Sequence, residues 1–132
     1  MKRYVYFQPN DKDLKDRVGD CAIRAICKAT NQTWLETFDG LCEYARNAQC
    51  LPNQEPAYKP YLEIKGWHYI SIAKKKMSVS DVAKMFTLCD SPFILYIRTG
   101  YRTHMVTIQG GKYFDTWDSG NKLVYGYWSK ED

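Results

Sequence analysis

Three residues, Cys21, His104 and Asp115, combine the types needed for a nucleophile, its base and a group that orients the base. Cys21 opens a helical pattern, DCAIRAICKATN, in which Ala22, Ile23, Ala25, Ile26, Cys27 and Ala29 share one wide apolar arc at about 100° per residue. The first N–H groups of such a helix lack intrahelical partners and its dipole favours an anion, so a thiol placed there is drawn toward thiolate. Cys21 lies at the edge of the arc, on the side of Arg24 and Lys28, and can face a cleft while Cys27 points inward. Asp20 opposes the thiolate in part, unless its carboxylate is occupied in capping the helix.

The other two residues come from a hairpin. Gly110-Gly111 is a strong signal for a two-residue turn, and pairing Gln109 with Lys112 sets Val106 opposite Asp115 and His104 opposite Trp117. His104 and Asp115 then stand diagonally on one face of adjacent strands, about 7–8 Å apart at the backbone, within reach for side chains that meet at their tips. Asp118 points to the other face and reads as a turn residue in DSGN. A thiolate so placed attacks a carbonyl, the imidazolium protonates the leaving group and the carboxylate steadies the ring, with no metal or organic cofactor required.

Plainer readings of the same residues exist. A lone cysteine near a helix start is often a packed small hydrophobe, and it is the matched His and Asp that favour a nucleophile here. Cys27 and Cys42 fall on apolar stripes and read as core; nothing local makes Cys50 or Cys89 reactive. His68, in GWHYI, is the alternative base, but local register sets no acid beside it. Tyr101, Trp117 and Trp128 suit a substrate groove or an aromatic core.

The elements that must position these groups follow from pattern and punctuation. Residues 4–8 alternate like an edge strand, and 9–19 form a polar loop leading to the cysteine helix. Thr33 with Glu36 makes a capping box for a helix over 33–48, with Trp34, Phe38, Leu41, Cys42 and Ala45 on its apolar stripe. Three prolines interrupt 49–60, and a short helix is expected over 61–65, stopped by Gly66. A strand over 67–72 precedes Ser78-x-x-Asp81, another capping box, and a helix to about residue 89. Segments 93–98, 103–109, 112–117 and 123–128 are rich in β-branched and aromatic residues and are separated by turn signals. Helices followed by an antiparallel meander give an α+β fold, in one domain spanning 1–132.

Composition bounds the partners. With 19 Lys and Arg against 15 Asp and Glu, the net charge of +4 falls short of the dense basic stripe of an obligate nucleic-acid binder. Lys74-Lys75-Lys76 has no aromatic platform nearby and reads as a solvated turn. Hydrophobic residues at 45% and aromatics at 15% fit a folded domain rather than a disordered one. No stretch approaches the ~18 apolar residues of a membrane span, and the N-terminus lacks the apolar core of a secretion signal. Five cysteines, an odd number without a CxxC pair, argue against a disulfide framework or a zinc site, so a reducing, cytoplasmic setting is expected.

The order Cys, His, Asp, with GDCAIRAI early and HMVTIQGGKYFDTW late, resembles the papain-like cysteine peptidases, most closely the small bacterial and phage-type members. The resemblance covers residues 19–41 and 101–117. It implies a papain-like fold, with helices carrying Cys21 packed on a sheet carrying His104 and Asp115. It also implies a peptide or protein substrate lying across the cleft between them. The oxyanion would be held by the Cys21 N–H and a side-chain donor, Gln8 or Asn10, from the preceding loop. Papain itself has asparagine in the third position, and its oxyanion glutamine lies closer to the cysteine than Gln8 does. Peptidase, isopeptidase, amidase and acyltransferase readings share this machinery. A papain-like binding module that holds a protein partner without cutting it is the alternative from another class.

Overall fold

The computed structural model describes residues 2–130. Four helices, α1 (Cys21–Thr30), α2 (Trp34–Ala48), α3 (Glu55–Ile64) and α4 (Val79–Met85), accompany six strands. The strands are β1 (Tyr4–Tyr6), β2 (Trp67–Ser71), β3 (Phe93–Thr99), β4 (Arg102–Gln109), β5 (Lys112–Asp115) and β6 (Val124–Lys130). They make one sheet in the order β1-β5-β4-β3-β6-β2.

The sheet is mixed, which corrects the expectation of an antiparallel one. β1 runs parallel to β5, with Tyr4 beside Tyr113 and Tyr6 beside Asp115, while every other pairing is antiparallel. A parallel neighbour needs a long crossover, and the whole helical part of the chain lies between these two strands. The hairpin register is as counted from Gly110-Gly111: both glycines have positive φ, as a primed turn requires, and Gln109 pairs with Lys112.

Each face of the sheet has its own core. On one, Ile23, Ile26 and Cys27 of α1, Leu41 of α2 and Tyr61 and Leu62 of α3 pack on Ile94, Met105 and Trp128. On the other, Val79, Val82 and Ala83 of α4 pack on Leu95, Ile97, Val106, Ile108 and Val124. The apolar arc of α1 is buried from Ala22 to Cys27, and removing a side chain such as Ile26 from water contributes roughly 2–3 kcal/mol. Thr107 on β4 fixes the helix height by donating its hydroxyl to the Ala25 carbonyl at 2.5 Å.

Both capping boxes form, Thr33 with Glu36 and Ser78 with Asp81. Several boundaries differ from the sequence reading, among them β1, which ends at Tyr6, and β6, which runs on to Lys130, and three bear on the helices and the site. α3 begins at Glu55 rather than near 61, because Pro56 occupies the first turn, where its missing N–H costs nothing, and Pro60 is carried inside the helix. α4 ends at Met85, capped by backbone bonds at Phe86. β5 ends at Asp115 rather than 117, and that early ending shapes the site.

Candidate active site

Cys21 is the first residue of α1, and the cap of that helix comes from far along the chain. Asn53, just before α3, accepts from Ala22 N at 2.7 Å and Ile23 N at 3.2 Å through Oδ1. Its Nδ2 then lies 3.7 Å from the Cys21 sulfur. Asp20, at the N-cap position, makes no side-chain cap. Its buried carboxylate takes the Arg24 guanidinium and, at 2.9 Å, the Trp34 indole N–H. The charge beside the thiol is therefore committed to a partner.

The ladder between β4 and β5 stops at Thr107 and Phe114. Counting from the turn, hydrogen-bonded pairs fall at Gln109/Lys112 and Thr107/Phe114, and the next would be Met105/Thr116. β5 has turned away by then, still bonded to β1 through Phe7 N to Asp115 O at 2.9 Å. Met105 N–H is left to donate to the Cys21 sulfur. By alternation His104 and Asp115 share the parity of Val106 and Tyr113, which pack toward α4. Cys21 and Arg24 of α1 meet them where the two strands have separated.

His104 and Asp115 form the diagonal pair that the register implies. His104 Nε2 lies 2.6 Å from Asp115 Oδ2, which also accepts from Ser119 Oγ at 2.8 Å. Asp115 Oδ1 accepts from Thr116 N at 2.8 Å and faces Arg24 Nη2 at 3.5 Å. With Nε2 committed to the carboxylate, Nδ1 is the nitrogen left for the thiol proton. Trp117 lies over the imidazole with ring centroids 4.9 Å apart. Asp20, Arg24, Asp115 and His104 thus form one buried chain of alternating charge, in which each ion has a partner, as burial demands.

The electrostatics follow from these contacts. Burial raises the Cys21 thiol's pKa, but the hydrogen bond and charge of His104, Asn53 Nδ2 and Met105 N–H together outweigh it and bring it below the ordinary range. Burial alone would lower His104; the bonds to Asp115 and Cys21 and their charges win and raise it to about 9. Both shifts favour the thiolate–imidazolium form of the pair over the thiol–imidazole form.

The remaining candidates make contacts of their own. Gln8 Oε1 accepts from Asn10 N and Asn10 Oδ1 from Lys12 N, each at 3.0 Å, so both carbonyl oxygens serve local turns. The side-chain amide bonded to Cys21 is that of Asn53, which the sequence reading missed. His68 lies exposed on β2, paired in register with Ser129, and Cys21 has His104 rather than His68 as its imidazole. Asp118 is a turn residue, accepting from the Tyr113 hydroxyl and from Gly120 N. Cys27 is buried, and all five cysteines are free. Among the described residues no group of three His, Cys, Asp or Glu is placed to hold a metal, and no helix is long and apolar enough to cross a membrane. No family model, curated protein or solved structure matches the chain.

Proposed function

We propose that this chain is a cysteine-dependent hydrolase of papain-like type, acting on a peptide or amide bond through a thioester on Cys21. The observation that carries the reading is the convergence on one sulfur of a helix N-terminus, an imidazole and a side-chain amide, with the imidazole held by Asp115 at 2.6 Å. A buried cysteine that merely packs needs none of these.

The Cys21 thiolate attacks the carbonyl carbon; a C–S bond forms and the carbonyl electron pair moves to oxygen. The Cys21 N–H, at the open end of α1, and an amide NH₂ stabilise that oxyanion. Asn53 supplies the NH₂, since two backbone donors fix its Oδ1 and so aim its Nδ2. The intermediate collapses as His104 gives its proton to the leaving nitrogen and the C–N bond breaks. Neutral His104 then takes a proton from water, whose oxygen attacks the thioester; the C–S bond breaks and the thiolate–imidazolium pair returns. Asp115 stays ionised throughout and holds the ring. Five free thiols suit a reducing compartment.

The test is acylation. Incubation with an activated peptide ester, followed by mass spectrometry of the intact and digested protein, should find the acyl group on Cys21. A Cys21→Ala variant should take up none and should hydrolyse no amide substrate. Full retention of hydrolysis by Cys21→Ala would refute the proposal, and binding without any acylation would favour a module that holds its partner uncut.

A further inference from the structure

A cleft of about 490 Å³ opens between α3 and the β2–β6–β3 part of the sheet. Its walls are the rings of Tyr58, Tyr69, Tyr96 and Trp128, and the carboxylates of Glu55 and Glu63 stand on its α3 side. Tyr69 is the organising ring: it meets Tyr96 edge-on with centroids 6.2 Å apart and Trp128 at 5.4 Å. It lies down across the sheet because position 126 is glycine; a Cβ there would collide with the Tyr69 hydroxyl.

The cleft and the thiol are linked through the start of α3. Asn53, bonded to Cys21, is two residues before Glu55 on the same approach to α3, and Tyr58 follows one turn later. Besides burial, the charges of Glu55 and of Cys21 act on the Tyr58 hydroxyl and raise its pKa. Tyr58 thus lines the cleft within electrostatic reach of the sulfur.

We propose that this cleft is the subsite for a cationic side chain, lysine or arginine, of the substrate. The proposal rests on the hydrolase reading and adds its specificity. Ring faces attract a cation through their quadrupoles, and this gain grows when the site is partly desolvated. The aliphatic stem of lysine or arginine packs on the same rings while its head meets Glu55 and Glu63. A neutral aliphatic side chain forgoes the charge terms, and an acidic one meets two like charges. Lys59 and His68 also border the cleft. Lys59 sits one helical turn from each of the two glutamates, so it competes with the incoming cation.

The experiment uses capped peptides identical except at one residue, which is Lys, Arg, norleucine or Glu. Calorimetric binding to Cys21→Ala, or to Cys21→Ser should the first variant melt early, isolates recognition from turnover. Lys and Arg peptides should bind at least tenfold more tightly than norleucine, and the Glu peptide more weakly still. In a Glu55→Gln/Glu63→Gln background, both positions being exposed, the Lys peptide should lose most of its advantage over norleucine, keeping only what the rings supply, whereas Lys59→Met should strengthen it. Equal binding of Lys, norleucine and Glu peptides would overturn the subsite. Turnover of the matching amides by the unmodified protein separates the two claims. Cleavage without a Lys or Arg preference sinks the subsite and leaves the hydrolase. Selective binding without cleavage sinks the hydrolase and leaves the subsite.

Discussion

Replacing Asp115 with asparagine keeps the shape of the residue against His104 and removes its charge. In the native protein His104 is raised from 6.5 to about 9 despite burial that pulls the other way. At about 1.4 kcal/mol per pKa unit, that elevation is worth about 3 kcal/mol in favour of imidazolium. The hydrogen bond to Asp115 leads the effects that raise it, and the Asp115 charge adds a further one. In Asp115→Asn the burial penalty stays while these supports weaken, so His104 should titrate at least about one unit lower. Cys21, which leans on the imidazolium, should become a weaker acid in step. The assay is an NMR titration of the imidazole Cε1–H resonances from about pH 5 to 10, a range that brackets both protonation states. The chain has only two histidines, His68 and His104, which simplifies assignment of the resonances. An unchanged His104 midpoint in the variant would refute the argument that Asp115 sets the ring's charge.

Other consequences follow from the same contacts. Asn53→Ala should cost about 1–2 kcal/mol in chemical denaturation through loss of the α1 cap. Asn53→Asp should keep the cap yet slow Cys21 alkylation, because it sets a negative charge against the sulfur. Arg24→Met leaves the buried Asp20 carboxylate without its ion partner and takes one of two from Asp115, and should cost about 3–5 kcal/mol. Thr33→Ala removes the α2 capping box and should cost about 1 kcal/mol in chemical denaturation. A histidine raised on folding stabilises the native state fully below its ordinary value of 6.5 and loses that contribution as the pH climbs through about 9. The melting temperature of the native protein should therefore fall relative to that of Asp115→Asn across this window; a constant difference would count against the linkage.

What could be seen in the sequence was whatever depends on short separations. The arc of α1, the capping boxes at Thr33 and Ser78 and the register set by Gly110-Gly111 all rest on neighbours within a few residues, and each stands in the structure. The pairing of His104 with Asp115 was countable for the same reason. Partners brought by tertiary folding were hidden. Asn53 caps a helix about thirty positions earlier, and nothing in PNQEP marks a cap for another helix. Arg24 sits on the polar side of α1, and only the fold reveals that it bridges Asp20 and Asp115. The parallel seat of β1 depends on where the chain's first strand docks after all the helices are laid down. α3 was obscured because Pro56 and Pro60 read as breakers when counted without their position in the helix.

The central claim is that His104, Asn53 and Met105 draw the Cys21 thiol toward thiolate, whereas burial pushes the Cys27 thiol the other way. Brief treatment with iodoacetamide at about pH 6, where ordinary thiols are almost wholly protonated, followed by peptide mapping, reads this directly. The label should appear on Cys21 well before Cys27, Cys42, Cys50 and Cys89, and the preference should vanish in a His104→Ala variant. Labelling of the other thiols with Cys21 left unmodified would contradict the account.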